Sequence, residues 1–323
     1  MIHDEDFRHT AQRVIRNDPS RPIKRAYDYV LREQRQNEHR SGAQRQPVRE
    51  FINIRSSLSR AKSCLVPNLP DDIRSVLITS PWSETWSSDR FLLHIDPNCG
   101  IAIFCTDENL KILRKCSQIY IDGTFRSCPK PYKQYVTVHG KYHGRVLCLV
   151  SSLLTGKSSR HYCQMLRTLK TSVRRVTHHR FRPARVMCDF EQSLIQAVQT
   201  QLPGAAVSGC YFHFCQNLYR KLQELGLATA YVHDLQLQKA IRMLMALGYL
   251  PVALCRQQFT LFRGSGRVQT LIATHPLLND FMDFIDRVYF NGPFPPTMWN
   301  VFTRDNSNRT NNYVEGFLKN MFF

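Results

Sequence analysis

Two acidic residues each follow a short stretch of β-forming residues, so both are expected at the end of a buried strand. Asp122 follows residues 118–121 (QIYI), and Asp189 follows residues 185–188 (RVMC). A sheet that holds two carboxylates side by side suits a divalent cation, because hard cations prefer rigidly placed oxygen ligands. A single aspartate at such a position is better explained as the cap of the next turn or helix. The chemical argument therefore rests on the pair.

The segment between these two acids is purely cationic. Residues 123–188 contain no Asp or Glu and fourteen Lys or Arg, and they supply +14 of the net charge of +19. Such a surface favours a polyanion, since neutralising backbone phosphates releases counterions. General basicity that attracts nucleic acid without any chemistry is the alternative. The residues expected to contact DNA are Arg126, Lys130, Lys133, Lys157, Arg160, Arg174 and Arg175.

The whole chain is typical of a globular protein. With 323 residues and 43% hydrophobic residues, it is long enough for one large domain or two ordinary ones. No apolar run approaches the ~18 residues of a membrane span, and the charged residues 1–6 do not begin a secretory signal. The odd number of cysteines, eleven, without paired C-x-x-C spacing indicates reduced thiols in the cytosol or nucleus.

The N-terminal part of the chain is predicted to form two regions. Residues 1–66 are polar and basic, with helices expected over about 23–38 and about 48–64. Their basic faces are either simply solvated or a DNA-contacting arm. Residues 67–114 are predicted to contain a linker and a β-hairpin, followed by a short helix.

From residue 115 onward the pattern indicates an α/β domain. Three antiparallel strands, a helix, the Asp189 strand, a second helix and a last strand make a ribonuclease-H-like sandwich. In that architecture the first and fourth strands are neighbours, which brings Asp122 and Asp189 together. An all-helical insertion is predicted over about 214–300, after the last strand. A short final helix then carries Glu315.

Several motifs within residues 115–320 occur in the order found in one known family. They are IDGTF at 121–125, YKQYVTVHG at 132–140, LLTGK at 153–157, CDFE at 188–191, GCYFH at 209–213, WNV at 299–301 and RTNNYVEG at 309–316. On these motifs the chain resembles the Mutator-like (MULE-type) DDE transposases, in the branch often found beside FLYWCH zinc fingers. The resemblance covers about residues 115–320, and the transposase domain that it implies spans residues 115–323.

The resemblance implies an enzyme that cuts and joins DNA strands in the nucleus. By position, its acidic triad is Asp122, Asp189 and Glu315, which would hold two Mg²⁺ or Mn²⁺ ions, with Asp122 bridging both. Cys210 and His213 match the family's C-x-x-H element, which is either structural or part of a zinc site. Only two of the four ligands of a closed zinc site are present there. DNA is the expected partner, with no membrane and no small-molecule substrate, and a homo-oligomer is an open alternative.

Three features depart from the family pattern and keep other functions open. Phe317 and Leu318 stand where the family has a His after its last Glu, and the sequence ends eight residues after Glu315. No complete zinc finger of the FLYWCH type precedes residue 115. A catalytically inactive, domesticated descendant that binds DNA as a nuclear regulator is therefore the second hypothesis. A ribonuclease that acts on RNA–DNA hybrids is the third.

Overall fold

The computed structural model describes residues 2–19, 21–65, 70–124, 128–305 and 309–310. The chain forms two compact units, residues 1–69 and residues 70–323. Along the described ranges, no helix is both long enough and apolar enough to cross a membrane.

The first unit consists of three helices that share one apolar core. Phe7, Ala11 and Ile15 recur every four residues and are buried, as expected for one face of a helix. The helix that carries them was not among the two predicted, although this spacing indicates it. Gly42 ends the second helix in the left-handed conformation (φ +67°), where a residue without Cβ is unstrained. The helices are α1 (Ile2–Asn17), α2 (Ile23–Ser41) and α3 (Phe51–Ser63).

The second unit is a mixed α/β structure built on one seven-stranded sheet. The strand order in space is β1-β2-β5-β4-β3-β6-β7. The strands are β1 (Leu92–Asp96), β2 (Ile101–Phe104), β3 (Gln118–Thr124), β4 (Gln134–Tyr142), β5 (Arg145–Leu154), β6 (Arg185–Cys188) and β7 (Ala206–Gly209).

The pairing of these strands agrees with the predicted order of the α/β domain. Strands β3, β4 and β5 form an antiparallel meander, and β6 lies parallel to β3 with β7 parallel to β6. The hairpin of β1 and β2 also belongs to this sheet, because β2 pairs with β5. The sequence pattern predicted that hairpin but did not indicate its partner.

Three helices cover one face of the sheet and form its core. Apolar side chains that alternate along β3 and β4, such as Ile119, Ile121 and Val138, pack against Leu113 and Leu166 from two of these helices. The helices are α4 (Asp107–Lys115), α5 (Ser159–Thr177) and α6 (Gln192–Gln201). Because α5 connects β5 to β6, it carries the chain back across the sheet so that β6 can run parallel to β3.

The described residues from 211 to 305 contain helices and no strand, as predicted for the insertion. Phe214 and Trp299, at its two ends, stack with ring centroids 4.8 Å apart. The indole Nε1 of Trp299 donates to the carbonyl oxygens of Tyr289 and Phe294. The helices are α7 (Tyr211–Glu224), α8 (Ala228–His233), α9 (Leu235–Ala246), α10 (Val252–Gly264), α11 (Gly266–Thr274), α12 (Leu277–Ile285) and α13 (Pro296–Trp299).

Candidate active site

Parallel pairing of β3 and β6 brings the two aspartates to the same edge of the sheet. Gln118 pairs with Arg185 and Tyr120 pairs with Met187, a constant offset of 67 residues. The same offset joins Asp122 to Asp189, two residues beyond the last pair. Neighbouring strands are about 4.8 Å apart, so register places the two backbones that carry these acids side by side.

Both aspartates line one open cavity of about 680 Å³. Strand β3 contributes the first acid, and the turn after β6 contributes the second. Helix α7, the first of the insertion, forms another wall and brings basic and amide side chains. The lining residues are Asp122, Gly123, Thr124, Lys157, Asp189, Phe190, Glu191, Ser193, His213, Gln216, Asn217 and Arg220.

The two carboxylates have buried and polar surroundings. Asp122 is buried, and its Oδ1 accepts a hydrogen bond of 2.9 Å from the backbone N–H of Gly123. Asp189 Oδ1 accepts one of 3.2 Å from the backbone N–H of Glu191. Burial raises the pKa of Asp189, while His213 and Lys157 oppose that rise through their charge. The Asp189 carboxylate is therefore short of compensating charge.

A third carboxylate, Glu191, lies beside the pair. Its Oε1 is 2.8 Å from the hydroxyl oxygen of Tyr162, and that hydroxyl is also 2.8 Å from Oε1 of Gln134. A phenol has one proton, so it donates to one of these oxygens at a time. Burial raises the pKa of Glu191, and a proton held there would satisfy the second contact.

Gly123 allows this network to lie close to the strand. A Cβ at position 123 would lie 2.4 Å from Nε2 of Gln134, whose side chain is buried. Of the two roles that the sequence left open for this glycine, a sharp turn or a close approach, the structure has the close approach, since β3 continues to Thr124. Gln134, Tyr162 and Glu191 were not predicted as site residues. Gln134 and Glu191 lie within the motifs at 132–140 and 188–191, but the contacts join positions 28 and 29 residues apart, and neither motif indicates them.

The C-x-x-H element divides between the core and the cavity. Cys210 is buried in a small cluster with Tyr120 and Met187, whereas His213 lines the cavity. Within the ranges that the structure describes, no group of three or more His, Cys, Asp or Glu side chains is arranged to hold a metal ion.

The remaining predicted residues lie in different places. Glu315 and Arg126 fall outside the described residues. Lys157 lies at the cavity with the aspartates, whereas Arg174 lines a second pocket elsewhere. Lys130, Lys133, Arg160 and Arg175 are exposed.

Comparison with known proteins assigns the segment that contains this site. Residues 118–217 match the family model described as the MULE transposase domain. The match includes both aspartates, the Tyr162 network and His213. No curated protein and no solved structure gives a match to this chain.

Proposed function

We propose, from the MULE transposase domain at residues 118–217, that this protein cleaves and joins DNA strands at the cavity that contains Asp122 and Asp189. The single observation that carries the proposal is the parallel register of β3 and β6, which places two acids 67 residues apart at the same end of neighbouring strands. A transposase domain implies DNA as the partner. The cationic segment 123–188 supports the same partner through its charge.

The strand order supports a ribonuclease-H-like classification of the fold. In β5-β4-β3-β6-β7, three antiparallel strands are followed by two parallel ones, and the acids stand on the two central neighbours. The helices from α7 to α13 then correspond to the expected insertion between the second and third acids. Glu315 would supply the third carboxylate from beyond that insertion.

The donor set at the cavity fits Mg²⁺ or Mn²⁺. Carboxylate oxygens are the ligands that these hard cations prefer, and no described cationic side chain forms a salt bridge with Asp189. Asp122 would hold both ions, with Asp189 and Glu315 each holding one. Two such ions, when bound, activate the attacking oxygen and stabilise the leaving oxygen in a displacement at phosphorus.

The other side chains at the cavity have roles that follow from their charge and contacts. Lys157 and Arg220 bring positive charge to the wall and would orient a phosphate group near the acids. Tyr162 and Gln134 hold Glu191 in place beside Asp189. Cys210 packs under the site, so we assign it a structural role rather than one in a zinc site.

Nicking of supercoiled plasmid in the presence of Mg²⁺ tests this proposal. We expect the wild-type protein to nick the plasmid. The variants Asp122→Asn, Asp189→Asn and Glu315→Gln are each expected to nick it more than about 100-fold more slowly. Loss of a residue that hydrogen-bonds to a metal ligand already costs about 10–100-fold in activity, and loss of the ligand itself is expected to cost more. Asp280→Asn makes the same chemical change at an exposed position in α12 and is expected to keep the wild-type rate.

The competing functions give different results in the same assay. An inactive DNA-binding descendant would leave the plasmid intact with every variant, while still binding it. A ribonuclease would cleave an RNA–DNA hybrid and spare the plasmid. Nicking by Asp122→Asn at the wild-type rate would refute the role of the aspartates.

A further inference from the structure

A second pocket, lined by basic residues, lies away from the aspartates. This pocket of about 690 Å³ is formed by the end of α5, the loop that precedes β6 and the loop that precedes β7. Its lining, all of it within the described residues, contains no Asp or Glu. Four cationic residues line it, namely Lys170, Arg174, Arg180 and Arg182. We refer to it as the basic pocket.

The basic pocket lies at the start of strands β6 and β7, whereas the aspartates lie at the opposite ends of the parallel strands. Both of its loops enter the parallel strands β6 and β7 at their first residues, whereas Asp189 follows the last residue of β6. Asp189 lies five residue steps of extended chain beyond Ala184 in the pocket, a span of about 17 Å. The basic pocket is therefore distinct from the cavity that holds the aspartates.

No acidic residue in the described ranges pairs with the three arginines. Arg174, Arg180 and Arg182 are exposed, and in the described part of the chain none forms a salt bridge. Three guanidinium groups that converge without a carboxylate repel one another, and an external anion would relieve that repulsion. Guanidinium groups also match the paired oxygens of a phosphate.

The rest of the pocket is held in place by packing and backbone hydrogen bonds. Phe181 and Leu202 are buried beneath it. The backbone N–H of Ala184 donates to the carbonyl of Ser117 at 2.7 Å. Lys170 Nζ donates to the carbonyl of Gln201 at 2.6 Å, which ties α5 to the end of α6. The arginines thus extend from a preorganised base, which lowers the ordering cost of binding.

We propose that the basic pocket is a second nucleic-acid site, which binds the phosphodiester backbone of DNA through Arg174, Arg180 and Arg182. The identification of the polyanion as DNA rests on the proposed function. The site itself rests on the charge and shape of the pocket. It lets the protein hold DNA at one edge of the sheet while the aspartates act at the other.

The test compares two triple variants that remove the same charge. Arg174→Gln, Arg180→Gln and Arg182→Gln together remove the arginines and leave Lys170, which has a structural contact. Lys239→Gln, Arg242→Gln and Arg267→Gln remove three exposed cations from the helical insertion, none of which lines the pocket. Binding of a fluorescent 30-base-pair duplex is measured by anisotropy from 50 to 400 mM salt, after thermal unfolding has shown that both variants fold.

We expect the pocket variant to lose roughly two orders of magnitude in affinity at 100 mM salt, and the slope of log K against log salt to fall by about 2 to 3, because each phosphate contact contributes about 0.9 to that slope. The control variant is expected to lower the slope by less than about 1. An equal loss of slope in both variants, or no loss in either, would overturn the proposal.

The nicking assay keeps this inference separate from the proposed function. If wild-type protein nicks DNA and the two triple variants bind alike, the proposed function stands and the basic pocket is refuted as a site. If no nicking occurs but the pocket variant alone loses salt-dependent binding, the site stands without the enzymatic function.

Discussion

Gly123 shows how one residue connects the aspartates to the interior of the domain. It follows Asp122 directly in β3, and its missing side chain leaves space for the amide of Gln134. That amide contacts the Tyr162 hydroxyl, which in turn contacts Glu191 beside Asp189. A displacement of Gln134 is therefore expected to shift Asp122 through Gly123, and Asp189 through Tyr162 and Glu191.

Replacing Gly123 with Ala tests this connection. The added methyl group must displace the buried Gln134 side chain, so we expect the free energy of unfolding to fall by about 1–3 kcal/mol, as for other overpacked core sites. Urea unfolding measures the change. Gly204→Ala is the matched control, because an added Cβ there meets no atom within 4 Å, and it is expected to change stability by less than about 1 kcal/mol. Equal effects of the two substitutions would rule out the close packing at Gly123.

Replacing Tyr162 with Phe tests the network from the helix side. The substitution keeps the ring but leaves Gln134 and Glu191 without the hydroxyl, so a loss of about 1–2 kcal/mol in unfolding free energy is expected. If the network positions Glu191 for the reaction, the nicking rate falls further than this loss of stability would cause. Tyr135→Phe is the control. It removes a hydroxyl that contacts Ser151 at 2.8 Å and leaves the contacts of Tyr162 with Gln134 and Glu191 intact. A nicking rate as high in Tyr162→Phe as in Tyr135→Phe would limit the network to a structural role.

At the residue scale, the sequence predicts the groups that end strands and misses those that support them. Asp122 and Asp189 each follow a run of β-forming residues, and that local pattern is sufficient to predict their positions. Tyr162 contacts both Gln134 and Glu191 only because α5 lies against β4 and the turn after β6. Contacts between distant elements depend on packing, and a single sequence does not record them.

Among the elements, a half-buried side chain ties the end of the insertion to the sheet. Arg304 Nη1 donates to the carbonyl of Gly209 at 2.8 Å, and its Nη2 donates to the carbonyl of Met298 at 2.5 Å. Gly209 ends β7, and Met298 belongs to α13, so this arginine joins the two ends of the helical block. Burial lowers the pKa of Arg304 to about 10, which still leaves it charged at neutral pH.

Arg304→Gln is therefore expected to be strongly destabilising. The shorter side chain cannot reach both carbonyls, and each buried acceptor left without a donor costs about 1–3 kcal/mol. We expect a loss of about 2–5 kcal/mol in urea unfolding. Arg242→Gln, at an exposed position on α9, removes the same charge and is expected to cost less than about 0.5 kcal/mol. A similar small loss for Arg304→Gln would mean that the block is held by its apolar contacts alone.

Element boundaries follow from the sequence more readily than element partners do. Thr106 accepts a hydrogen bond from the backbone N–H of Asn109 at the start of α4, a capping pattern that the sequence displays. The pairing of β2 with β5 is not encoded in either strand alone, because both are simply apolar and β-forming. The sequence pattern did not lead to a prediction of helix α1, because its apolar residues are few among charged ones, although their spacing is regular.

On the scale of the whole molecule, each unit has an apolar core of its own. Residues 1–69 bury their helices against one another, and the sheet unit starts at residue 70. The family match begins later, at residue 118, and so omits β1, β2 and α4. Ile101, Ile103, Leu110 and Leu113 from that omitted part are all fully buried in the core of the sheet.

Two fragments with different starting points test where the folding unit begins. Residues 70–323 are expected to give a cooperative thermal transition, because they retain the whole sheet core. Residues 118–323 lose four buried aliphatic side chains, which contribute about 1.5–3 kcal/mol each and together rival the entire stability of a typical domain. That shorter fragment is expected to be unfolded or aggregated by circular dichroism and size-exclusion chromatography. A cooperative transition in residues 118–323 would contradict this assignment.

During translation, the cationic segment 123–188 is synthesised after Asp122 and before Asp189. After Asp122 has been synthesised, 66 further residues follow before Asp189, which takes roughly 3–13 s at 5–20 residues per second. During that interval the growing chain gains its most cationic segment, yet β6 does not exist and the β6 side of Asp122 has no neighbouring strand. The segment that attracts polyanions is thus synthesised before the second aspartate of the pair.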